Sequence, residues 1–112
     1  MAFKDEIYNL AKRNNDWKVL VKTVEECREL VDALRRAGKV EEGQATTFAL
    51  ANVNMSGWSR EDREAVISEM ADVAIMLRQL ALKLECADEL DALMEYKVAR
   101  TKHEMKQVPS NT

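Results

Sequence analysis

Glycine and proline are scarce in this chain, with three Gly and one Pro among 112 residues. So few breakers, beside abundant Ala, Leu, Glu, Lys and Arg, predict an all-α protein. Cysteine is equally sparse: Cys27 and Cys86 stand far apart, without a CxxC or zinc-ligand spacing. They read as free thiols in a reducing compartment, with a disulfide as the alternative. The single histidine, His103, has no Glu three residues before it, which argues against the paired Glu-x-x-His pattern of a ferritin-like di-iron centre. No long apolar run is present either. The most apolar stretch, Ala71 to Leu84, is interrupted by Asp72, Arg78, Gln79 and Lys83, so a membrane span is not expected. The first six residues carry no apolar core of signal-peptide length, and the expectation is a soluble, cytoplasmic protein. An excess of positive charge is missing too: the formal net charge of −3 excludes nucleic-acid binding through a general basic field.

What is present is a succession of amphipathic helical runs, forming one domain over residues 1–112. A short helix is predicted over Lys4 to Arg13, and Asn14-Asn15-Asp16 provides a break and an N-cap. A second helix runs from Trp17 to about Ala37 and stops at Gly38. Its residues Trp17, Leu20, Val24, Cys27, Val31 and Leu34 recur in steps of three and four, the spacing of a packed seam. Residues 39–58 form a long connection punctuated by Gly43 and Gly57, with a helical turn or two expected over Thr46 to Val53. Ser59 with Asp62 resembles a capping box opening a third helix to about Glu85. Asp88 is expected to cap a fourth, from Glu89 to about Lys106, and residues 108–112 form a frayed tail. The third helix is apolar around nearly its whole circumference. Apolar all round implies burial all round, so the four-helix, bundle-like fold is predicted to be completed in a homodimer or homotetramer. The alternative is a monomer with an exposed patch.

Two acidic motifs interrupt this pattern. Glu25-Glu26-Cys27-Arg28-Glu29 lies on the second helix and Glu69-Met70-Ala71-Asp72 on the third. Glu26 and Glu29 share a stripe with Lys22 and Ala33 that flanks the predicted seam, where a solvated face is the plain alternative. At 100° per residue, Glu69 falls within the stripe of Asp62, Ala65, Val66, Val73, Met76 and Leu80. A carboxylate there is costly unless paired. Lys22 or Lys97 is one candidate partner. A divalent cation is the other, held by Glu26, Glu29, Glu69 and Asp72 if the two helices face one another. Oxygen donors without His or Cys suit Mg²⁺, with Mn²⁺ possible, better than zinc or copper. The fourth helix turns basic at Lys97 and Arg100. Those cations either hold phosphate beside the acids or complement the helix dipole.

The combination Glu25-Glu26-x-x-Glu29-Leu30 and Glu69-x-x-Asp72-Val73 resembles the all-α nucleoside triphosphate pyrophosphohydrolase superfamily, and in particular its compact MazG-like members. The resemblance spans roughly Trp17 to Lys106. It implies hydrolysis of a (d)NTP to the monophosphate and pyrophosphate, with a role in cleansing the nucleotide pool. By motif position it implies Glu26, Glu29, Glu69 and Asp72 as Mg²⁺ ligands and Glu25 as the acid that orients or deprotonates water. Lys97 and Arg100 match the basic character of the family's last helix and would meet the phosphates. The stretch between Glu29 and Glu69 is longer than in many relatives. Lys18, Val19 and Lys22 stand where relatives often carry a Gln. Trp17, Phe48 and Trp58 are candidates for stacking on the base, with core packing as their alternative. The competing function is a non-catalytic helical oligomerisation or nucleotide-binding module, for which the apolar third helix alone would suffice.

Overall fold

A computed structural model of the chain describes residues 3–39 and 55–107. Phe48 and the expected turns over Thr46 to Val53 lie outside them. Among the described residues four α-helices follow in order: α1 (Phe3–Arg13), α2 (Asp16–Gly38), α3 (Arg60–Lys83) and α4 (Ala87–Gln107), with a 3₁₀ turn, Met55–Gly57, ahead of α3. No strand occurs among the described residues. None of their helices is long and apolar enough to cross a membrane.

The helix starts follow from local chemistry. Asn15 is the N-cap of α2, its Oδ1 accepting from the Lys18 amide at 2.7 Å. Ser59 caps α3, its Oγ accepting from the Asp62 amide at 3.1 Å. Each cap satisfies one donor that the first turn leaves without a partner. Two ends depart from expectation. Gly38 is still helical, and Lys39 takes the left-handed conformation that closes α2, at φ 55°. Asp88 lies inside the first turn of α4 and does not cap it.

The body of the protein is an antiparallel pair, α2 against α3, with α1 laid on α3. Ala33 and Ala37, late in α2, cluster with Val66, early in α3, and Leu30 and Trp58 pack against them. At the other end Asn14 Nδ2 donates to Gln79 Oε1 at 3.1 Å, and Lys83 pairs with Asp16 at 3.5 Å. Ile7 and Ala11 are the buried residues of α1.

The stripe that α2 turns inward is not its most hydrophobic one. Val19, Thr23, Glu26, Ala33 and Ala37 are buried, with Leu30 between them half-buried. That series also steps by four and three, but Thr23 and Glu26 disguise it in the sequence. Of the predicted seam, Trp17, Leu20, Val24, Val31 and Leu34 are exposed and Cys27 is half-buried. On α3, Val66, Val73 and Met76 are buried as expected, but Ile67, Met70, Ile75 and Leu77 are exposed. Burial all round α3 therefore does not hold within one chain. The reason is geometric: α4 meets α3 only sparsely, and every described side chain of α4 is exposed.

Candidate metal centre

Halfway along the antiparallel pair, the inward stripe of α2 meets the inward stripe of α3 at acids on both sides. Glu26, Glu29 and Glu69 each offer a carboxylate oxygen, and these atoms lie within 4.8 Å of one another. Glu26 is only 6% exposed, Glu69 is half-buried and Glu29 is exposed. The group thus grades from the helix interface towards solvent.

Two of its oxygens have no protein partner. Glu26 Oε2 and Glu69 Oε2 are both buried and accept no hydrogen bond. Leaving such an atom unpaired costs about 1–3 kcal/mol or more when it carries charge. Two ionised carboxylates at this separation also repel by roughly 3 kcal/mol at an effective dielectric constant of 20. The one described cation in contact is Lys22. Its Nζ lies 3.1 Å from Glu26 Oε1 and 3.8 Å from Glu25 Oε2. A single ammonium facing Glu25, Glu26, Glu29 and Glu69 leaves the site strongly negative. Glu29 registers this: its carboxyl is held above the usual range, chiefly by the charge of Glu26, then by desolvation and by the charge of Glu69. The Lys22 ammonium is pushed up, first by its hydrogen bond to Glu26.

The donor set fits a hard divalent cation. Oxygens sharing one Mg²⁺ at about 2.1 Å stand no more than about 4.2 Å apart. A group already within 4.8 Å closes on an ion by small side-chain rotations. The donors are all carboxylates, which favour Mg²⁺ or Mn²⁺ over soft metals.

The remaining sequence-predicted residues are distributed unevenly. Asp72, one turn beyond Glu69 on α3, is exposed and does not belong to the converging group. Glu25 is exposed, pairs with Lys22 and lines an open groove of about 550 Å³ on the outer side of α2. Trp17, Leu20, Val21 and Val24 form the apolar wall of that groove, and Glu29 joins it to the carboxylates. Trp17 is 73% exposed. Trp58 packs against the Ala33–Ala37–Val66 cluster, which is the core role held as its alternative. No ion pair among the described residues joins Lys97 or Arg100 to the acids; the partner of Arg100 is Glu104, at 3.9 Å on its own helix. Arg28, which also lines the groove, is a nearby cation that sequence reasoning passed over. Its position three residues after Glu25 was the available signal.

Among the described residues, then, two helices bring three carboxylates to one point beside an apolar groove. No protein-family model, curated protein or solved structure matches the chain.

Proposed function

We propose that this protein is a Mg²⁺-dependent nucleoside triphosphate pyrophosphohydrolase of the all-α, MazG-like kind, working as a homodimer or homotetramer. The observation that carries the reading is the pair of buried, unpartnered oxygens on Glu26 and Glu69, converging with Glu29. A triphosphate cannot approach such a cluster without cations between the charges.

In this reading Glu26, Glu29 and Glu69 hold the metal, and Asp72 borders the site from solvent. Bound Mg²⁺ would neutralise phosphate oxygens and lower the pKa of the attacking water. Glu25 orients that water and takes its proton as oxygen adds to the α-phosphorus and the bond to the bridging oxygen breaks. The products are a monophosphate and pyrophosphate. Arg28 faces the phosphates, and Trp17 with Leu20, Val21 and Val24 offers an apolar surface for the base. The exposed seam of α2, the outer residues of α3 and the bare α4 support assembly with further copies. In that assembly α4 brings Lys97 and Arg100 to the phosphates bound by a neighbouring protomer.

Pyrophosphate release over a panel of ribo- and deoxyribonucleoside triphosphates tests the reading. Turnover is expected to require Mg²⁺ or Mn²⁺ and to fall by roughly 100-fold or more in Glu69→Gln, with helicity unchanged. A second reading, a non-catalytic assembly or nucleotide-binding module, is favoured by the outward-facing α2 seam. Binding without turnover across the whole panel selects it.

A further inference from the structure

Lys22 sits one turn ahead of Glu26 on α2 and is the only described cation within ion-pair distance of the converging carboxylates. Its contacts divide unequally. It engages Glu26 Oε1 at 3.1 Å and reaches Glu25 at 3.8 Å, yet leaves Glu26 Oε2 and Glu69 Oε2 without partners. The lysine therefore compensates the centre only in part. Its side chain is 49% exposed, and its four-carbon stem swings at little cost. A divalent cation entering among Glu26, Glu29 and Glu69 would meet the ammonium as a like charge on a shared carboxylate.

We propose that Lys22 is a built-in counter-ion: it holds Glu26 and Glu25 while the centre is metal-free, is driven off Glu26 when a divalent cation enters, and then faces the anionic ligand. This rests on the metal-centre reading and adds to it a positioning residue with two alternating partners. Three consequences follow from the charge balance. Removing the ammonium must loosen the metal-free protein, because no other described cation pairs with Glu26. It must strengthen divalent-cation binding, because a competing positive charge is gone. It must weaken the hold of the metal-loaded site on phosphate, because the released ammonium is the nearest described cation on α2 to Glu26 and Glu25. A merely solvated surface pair would produce none of the three together.

The experiment compares the full chain with Lys22→Met and Lys22→Arg, titrating Mn²⁺ alone and then inorganic pyrophosphate at saturating Mg²⁺, with thermal melts of each state. For Lys22→Met the expected results are a lower metal-free melting temperature, a difference erased by saturating Mg²⁺, Mn²⁺ binding tighter by roughly two- to fivefold, and pyrophosphate binding weaker by a similar factor. Lys22→Arg, which keeps the charge, is expected to stay near the parent in all of them. Unchanged or weaker Mn²⁺ affinity in Lys22→Met overturns the counter-ion role, and unchanged pyrophosphate affinity overturns the second half of it. A parent protein that binds no Mn²⁺, with Glu69→Gln indistinguishable from it, overturns the metal centre and the proposal together. That failure is distinct, because it shows in the parent before any lysine variant is compared.

Discussion

Asn14 donates through Nδ2 to the Gln79 amide oxygen, 3.1 Å away, and so ties the approach to α2 to the last turns of α3. Gln79 is 3% exposed, and its own amide nitrogen points at Met76 Sδ at 3.6 Å. This bond, with Lys83–Asp16 beside it, fixes how far α2 slides along α3. It thereby fixes whether Glu26 lies across from Glu69.

Breaking that tie has a measurable cost. Gln79→Ala removes a buried amide, opens a small cavity and orphans Asn14. It should destabilise the protein by about 1–3 kcal/mol in chemical denaturation. A double-mutant cycle with Asn14→Ala is expected to show a coupling of about 1 kcal/mol. Additive effects would mean that the bond is not formed in solution. Because register places the acids, Gln79→Ala should also weaken Mn²⁺ binding, although its side chain is remote from the carboxylates along α3.

Glu29 gives a pH signature of opposite sign to most native carboxylates. Its acid is harder to ionise in the folded, metal-free protein than in the unfolded chain, because Glu26 and Glu69 already carry charge nearby. The folded state therefore binds the proton more tightly. The penalty is fully present above the raised folded value and disappears as pH falls below the ordinary glutamate range. Glu29→Gln should accordingly melt higher than the parent at pH 7 without metal, with the gap closing on acidification. A gap that widens in acid would show that Glu29 is instead stabilised as an anion.

The turn between α3 and α4 stores backbone strain at one residue. Glu85 occupies the left-handed region at φ 53°. The Glu85 amide donates to the Leu82 carbonyl at 3.2 Å and the Cys86 amide to the Ala81 carbonyl at 3.0 Å. Glycine adopts that conformation without the Cβ clash, so Glu85→Gly should stabilise the protein by roughly 1 kcal/mol, less the added entropy of the unfolded chain. Thermal melts at fixed protein concentration check this.

The outward seam predicts association. Val31 and Leu34 are both exposed on the isolated chain, so Val31→Glu with Leu34→Glu should leave the α2–α3 pair intact. In an assembly that covers the seam, the two charges would be buried unpaired, at a cost of roughly 3 kcal/mol or more. Light scattering is expected to show the parent above, and the double variant at, the 12.8 kDa of one chain. A parent already at that mass removes the seam as an interface.

The helical class and the Asn15 and Ser59 boundaries were legible in the sequence, because each depends on spacing along one helix; the approach of Glu26 and Glu29 to Glu69 was legible only as the consequence of α2 and α3 facing one another. The inward face of α2 was not. Hydrophobic periodicity selects the strongest stripe, and α2 carries two stripes of the same period. The stripe containing Trp17, Leu20 and Val24 outranks the one containing Thr23 and Glu26, yet the weaker one packs against α3. No single-helix argument separates them, because the choice depends on what α3 presents in return. The relation of α4 to the acids was illegible for the same reason: its basic end is patterned, but its partner is not encoded in its own spacing. Asp72 was grouped with Glu69 by its i, i+3 spacing and by the motif, and the rotation of three residues along α3 leaves it outside the convergence.

The acids of the inward stripe set folding and chemistry against each other. A leucine at position 26 would convert the weaker stripe of α2 into a continuous oily contact and relieve the repulsion opposite Glu69. Selection for robustness alone would drift in that direction, towards a sturdier hairpin with nothing left to grip an ion. On the metal-centre reading, Glu26 trades durability of the α2–α3 contact for a hold on the ion.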